Sequence, residues 1–249
     1  MRSGLRKQAQ TDTFIKVDVD FKVDTASGWK MSTALAALNV TRKAIVTVTV
    51  YPGVHVGNLN FDSAPTDSHV FLVNKGMIVG NSGGGDALNV GFLTDIDNQG
   101  TIAGGGGRGG NGGNGSTGGF ANWTCNYGTV VPAGAGGRGA GMQGAVFVDA
   151  QDGIAGTQAA DSGAKGGTGG RGGDIGFDGA PGTPGFVGHS WQGGTVTGPD
   201  GKPTYYPACG PYLGPIANYG AAGQVSGRAI VGIAKVKFTK RGAVLGLTV

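Results

Sequence analysis

The side chains able to do acid–base or metal chemistry are few and poorly arranged for it. His55, His69 and His189 sit in unrelated contexts, and the 15 acidic residues are all Asp. No Ser stands at the strand-to-helix turn of a nucleophile elbow: Ser82 matches G-x-S-x-G, but within a glycine run and not ahead of a helical pattern. Despite all the glycine, no G-x-x-x-x-G-K-[ST] run is present to cradle a phosphate. Asp95, Asp97 and Gly100 resemble the first half of a calcium loop, but the distal acidic ligand is missing, and a turn is the better reading. Asp149, Asp152, Asp161, Asp174 and Asp178 are candidates for a carboxylate pair that hydrolyses glycosides, yet their spacing singles out no pair. The expectation is a non-enzyme with no catalytic residue, no metal site and no cofactor.

The aromatic residues carry more information. Phe120, Trp123 and Tyr127 fall in one interruption of a glycine-rich region, His189 and Trp191 in a second, and Tyr205, Tyr206, Tyr212 and Tyr219 in a third. The region has almost no aliphatic residues to form a core around these rings. Loops of Tyr, Trp, Ser, Gly and Asn have the composition of adaptable binding surfaces. Binding is therefore the reading preferred for these nine residues; the plain alternative is that they cap the ends of the glycine-rich scaffold and shield its hydrogen bonds. Cys125 and Cys209 lie in the same interruptions. They would bridge two loops in an oxidising compartment, and two free thiols fit the sequence equally well.

The element that must position those loops is the glycine-rich stretch 100–225. Gly stands at 167, 170, 173, 176, 179, 182, 185 and 188 without a miss, and a second row runs through 163, 166, 169 and 172. Earlier, 106, 109, 112, 115 and 118 form one row and 107, 110 and 113 the next. A flexible linker needs many glycines but no phase. A strict period of three suits a polyproline-II-type helix, which has three residues per turn and no internal hydrogen bonds, so buried copies must bond laterally. The expected fold is mainly β with a polyglycine-II helical bundle, a sandwich whose third rows, Arg108, Asn111, Asn114 and Lys165, Thr168, Arg171, Asp174, face solvent. A collagen-like trimer is less favoured: only Pro181 and Pro184 fall in the run, which is short. A disordered tract is disfavoured by the unbroken phase.

Around this stretch the chain reads as β structure. Ile15 to Val23 alternates apolar with charged residues, and Ala44 to Tyr51 is rich in β-branched residues; both predict strands. Met31, Ala34, Leu35 and Leu38 have helical spacing, which predicts a short helix near 30–39. Residues 58–69 read as a loop and Val70 to Val73 as a strand. Asn-x-Gly-x-Ile-x-Gly occurs at 74–80 and again at 98–104, which predicts units stacked in register as in a solenoid; 227–232 echoes its strand half. The expected divisions are a β-rich base or attachment domain (1–99), the glycine-rich domain (100–225) and closing strands (226–249).

The formal charge of +4 is not spread over a surface. It resides in Arg228, Lys235, Lys237, Lys240 and Arg241, in a terminal segment without acids, so nucleic-acid binding is not expected. No stretch approaches the roughly 18 apolar residues of a membrane helix, and the N-terminus lacks the apolar core of a secretory signal. The expectation is synthesis in a host cytoplasm without membrane insertion.

NxGxIxG strands running into GGGGRGGNGGNG, then GGTGGRGGDIG, aromatic loops between them and a β-rich N-terminal part together resemble bacteriophage tail-fibre tip adhesins, the glycine-rich class on T-even-like long tail fibres. The resemblance covers roughly 70–232; residues 1–69 do not match the attachment domain associated with that class. It implies a virion protein at a fibre tip with no enzymatic activity. Its aromatic loops, 120–127, 189–191 and 205–212, would touch a bacterial outer-membrane protein or surface glycan. Its other partner would be a tail-fibre protein or further copies of itself, a trimer among them. The rivals are an ice-binding polyglycine-II protein, which predicts a flat face of small residues, and a glycan-cleaving tail spike.

Overall fold

In the computed structural model, residues 14–121, 124–158, 164–189, 194–197, 202–206 and 219–249 are described. The chain begins as a stack of β coils. The first coil holds β1 (Ile15–Phe21), β2 (Trp29–Lys30) and α1 (Met31–Ala37). The second holds β3 (Ala44–Val50), β4 (His55–Gly57) and β5 (Leu59–Phe61), and the third β6 (His69–Asn74), β7 (Met77–Val79) and β8 (Leu88–Val90). The fourth opens with β9 (Thr94–Ala103), which runs straight into the glycine-rich region.

That region has short strands of its own: β10 (Gly115–Ala121), β11 (Thr124–Val131), β12 (Gly141–Gln143), β13 (Val146–Val148), β14 (Val187–His189), β15 (Gly194–Thr197) and β16 (Pro203–Tyr206). Only afterwards does the chain return to the base through β17 (Ile230–Val231) and β18 (Val236–Leu245). β17 pairs parallel with β8, and β18 pairs parallel with β9. The glycine-rich region is thus an insertion within the fourth coil.

Parallel stacking places like residues over like. Val48, Leu72 and Ile96 are partners in adjacent strands and all are fully buried. On the second sheet, ordered β17-β8-β5-β2, Leu59, Leu88 and Ile230 form an equivalent buried row. Both rows enter one core, and burying a side chain of this size stabilises by about 1.5–3 kcal/mol. The predicted helix is α1, which buries Met31 and Leu35. Its first turn is held from outside: Ser32 donates its N–H to Asp62 Oδ1 (2.9 Å) and its hydroxyl to Oδ2 (2.5 Å). Burial pushes the Asp62 carboxyl up, but the bonds from Ser32, with those from the Ser63 and Asp62 N–H groups, outweigh it and hold the carboxyl below its ordinary range.

The internal repeat is stacked in register. Asn74 pairs with Asn98, and Met77, Ile78 and Val79 pair with Thr101, Ile102 and Ala103. The echo at 227–232 does not join this ladder. Its strand, β17, belongs to the second sheet, and residues 243–245 of β18 occupy the next rung instead. The stretch read as a loop, 58–69, contains β5, whose Leu59 and Phe61 are fully buried.

Within the insertion, six stretches run extended and exchange backbone hydrogen bonds sideways: 104–113, 132–140, 151–157, 165–173, 179–186 and 220–227. Along 104–113, the N–H groups of Gly106, Gly109 and Gly112 donate to Ala140, Gly137 and Gly134, while those of Gly107, Gly110 and Gly113 donate to Phe177, Ala180 and Thr183. Residues 167, 170 and 173 donate to the carbonyls of 113, 110 and 107, and 166, 169 and 172 to those of 157, 154 and 151. The third residues of each triplet, Arg108, Asn111, Asn114, Lys165 and Arg171, are exposed. The unbroken glycine run 167–188 is not one rod. It reverses at Gly176 (φ +77°), so that Ala180 and Thr183 donate back to Arg171 and Thr168.

Candidate functional site

The direction of each stretch follows from its hydrogen-bond register. Gly113, Pro132, Thr157, Lys165, Phe186 and Ala221 lie at one end of the assembly: Thr157 donates to Pro132, and Lys165 and Phe186 exchange both of their backbone bonds. Gly107, Ala140, Gln151, Gly173 and Gln224 mark the opposite end, where the chain meets the base. The connections 114–131, 158–164 and 187–219 therefore all leave from the end away from the base, and every aromatic residue predicted to bind belongs to one of them.

Three of those residues lie in one sheet of 3 strands, ordered β11-β10-β14. Phe120 is opposite Cys125, and Gly118 is paired with Tyr127 on one side and His189 on the other. Tyr205 and Tyr206 belong to a separate ribbon, opposite Thr195 and Gly194. Tyr219 opens the last stretch and is 89% exposed. Trp123, Trp191, Cys209 and Tyr212 lie outside the described residues, and with Cys209 the pairing of Cys125.

Sequence reasoning missed a groove beside Tyr219. It has a volume of about 500 Å³ and is lined by residues 111–114 and 132–135 together with Tyr219 and Ala221. Asn111 Oδ1 accepts the Gly136 N–H (2.9 Å), and Asn114 Oδ1 accepts the Ala133 N–H (3.1 Å). The signal was present in the sequence as the Asn-Gly-Gly-Asn spacing, which places two carboxamides one turn apart on the outer row.

Among the described residues the shortest ion pair lies at the other end of the insertion. Arg228 grips Asp86 with both its Nε (3.1 Å) and Nη2 (2.8 Å), tying the start of β8 to the returning chain. A second contact between the two parts is the apolar cluster of Val79, Ala103 and Met142, to which Phe147 adds a stack on His55 (5.1 Å between rings). Among the described residues no three His, Cys, Asp or Glu side chains converge as metal ligands, and no helix is long and apolar enough to cross a membrane.

A coiled β base carries an inserted glycine-rich support whose connections leave from the end away from the base. The family model for the phage tail fibre adhesin Gp38 matches residues 16–248, and the chain belongs to that family. It is thus a bacteriophage protein of the tail fibre and acts in host attachment. Among solved structures the chain is similar to the gp37-gp38 adhesin tip complex of the bacteriophage S16 long tail fiber, at 18% identity over 94% of this chain and 82% of that one, with a TM-score of 0.48. None of the curated proteins compared is a match.

Proposed function

We propose that the protein binds a receptor on the bacterial surface, an outer-membrane protein or glycan, through the aromatic connections at the free end, while the β base joins it to its fibre. The observation that carries this reading is the hydrogen-bond register of the six stretches, which sends both ring-bearing connections, 114–131 and 187–219, to the same end. The support beneath them is a polyglycine-II bundle in two layers of three, with 132–140, 104–113 and 220–227 in one and 151–157, 165–173 and 179–186 in the other. Three features favour that description. Each inner stretch donates along two rows and exposes the third, the bonds recur every third residue, and a Cβ at most of these glycines would meet a neighbouring carbonyl oxygen at about 2 Å.

A scaffold bonded in this way holds its loops at little further ordering cost, and immobilising a loop on binding is one of the larger penalties in recognition. The binding is non-enzymatic. An ice-binding role is disfavoured by the outer rows, where Arg108, Lys165 and Arg171 interrupt any flat face of small residues. The test is adsorption of the purified protein to wild-type host cells and to a panel of surface-defective mutants. One class of mutant should lose binding, and uniform binding to the whole panel rejects a specific receptor.

A further inference from the structure

The groove beside Tyr219 lies on the flank of the support, below the loops. We propose that it is a subsite for a neutral cell-surface glycan, an inference that rests on the adhesin role and names a ligand class for one part of it.

The groove offers what a sugar ring requires. A pyranose has an apolar C–H face and a rim of hydroxyls. Tyr219 supplies an aromatic face that is 89% exposed, at a point where the chain is fixed by the Ala221 N–H donating to the Asn111 carbonyl (2.7 Å). The Asn111 and Asn114 carboxamides are each held by their oxygen. Among the described residues their Nδ2 groups have no partner, so both can donate to hydroxyls. In an extended left-handed helix three residues span roughly 9 Å, a separation suited to alternate units of an oligosaccharide. Sites of this kind combine a mainly apolar wall with a few fixed polar groups.

No charged side chain lines the groove, which favours a neutral ligand. An extended peptide is a poorer occupant, because the main-chain donors it would pair with are taken. The N–H groups of Gly112, Gly113 and Gly134 go to Gly134, Thr183 and Gly167, and that of Ala133 to Asn114.

The experiment uses the full chain on an array of neutral bacterial oligosaccharides, in parallel with adsorption to intact cells. Tyr219→Ala should weaken array binding at least tenfold, and Tyr219→Trp, which keeps a ring, should retain it. Asn111→Asp keeps the oxygen that holds Gly136 but loses the Nδ2 donor; it should stay folded and also lose at least tenfold. A wild-type protein that adsorbs to cells yet binds no neutral oligosaccharide overturns the groove proposal and leaves the adhesin role standing. Array binding unchanged in Tyr219→Ala overturns it equally. Array binding without cell adsorption supports the groove and contradicts the wider reading.

Discussion

A Cβ built on Gly109 would lie 2.0 Å from the carbonyl oxygen of Gly170, while Gly170 donates its own N–H to Gly110 at 2.8 Å. The two stretches touch backbone to backbone, so Gly109 has no room for a methyl group. Gly109→Ala should therefore force them apart and break lateral hydrogen bonds, at a cost of about 3 kcal/mol or more. Gly144 is the control: its φ is +63°, but nothing lies within 4 Å of its Cβ position. Gly144→Ala should cost only the backbone strain, about 1–2 kcal/mol. Denaturant unfolding of the two variants measures the difference, and equal destabilisation would mean close approach is not what these glycines serve.

In the base, Asn74 Nδ2 donates to Asn98 Oδ1 at 2.8 Å, and Asn98 Nδ2 donates to the Ala243 carbonyl at 3.1 Å. Asn98→Ala would remove the buried bond from Asn74, whose Nδ2 keeps the Thr101 carbonyl (3.0 Å), and the brace to Ala243. The expected loss is about 1–2 kcal/mol, read as a lower thermal midpoint with loop function intact.

Much of this was legible beforehand because it rested on period. The glycine phase pointed to lateral bonding, and the repeats at 74–80 and 98–104 pointed to stacking in register. What stayed hidden was non-local or short. Leu59 and Phe61 alternate over only three residues, too few to stand out among Asn, Asp and Pro. The reversal at Gly176 left no mark, because the turn keeps the triplet phase. Ile230 pairs with Leu88 across the whole insertion, and nothing in a local pattern encodes a strand partner that distant. The exposed third row of the glycine triplets was readable as polar, but the use of Asn111 and Asn114 as cross-braces depends on neighbours that only folding supplies.

Burial pushes the Asp86 carboxyl up, but the hydrogen bonds and charge of Arg228 outweigh it and hold the carboxyl below its ordinary range. A carboxylate depressed in the folded state contributes stability above its unfolded pKa and loses it as pH falls through the folded value. The wild-type protein should be more stable than Asp86→Asn at neutral pH, and the gap should begin to narrow below about pH 4. Unfolding of both proteins from about pH 7 down to about pH 2 checks this; a gap that does not narrow on acidification would contradict it.

The insertion leaves and re-enters the base at adjacent points, since a Cβ on Gly104 would meet the Gly227 carbonyl oxygen at 1.8 Å. Replacing 106–225 by two glycines should leave a folded β base with a cooperative thermal transition, because the rows through Val48 and Leu59 are complete without it. Circular dichroism and melting of the shortened chain decide the point.

The central claim is that ring-bearing connections at the free end grip the host. The most direct measurement is adsorption of a Trp123→Ala, Trp191→Ala double variant to host cells, with its melting temperature as the control for folding. The expected result is a wild-type melt with adsorption reduced at least tenfold. Undiminished adsorption by the folded variant would contradict the claim and move the binding surface elsewhere.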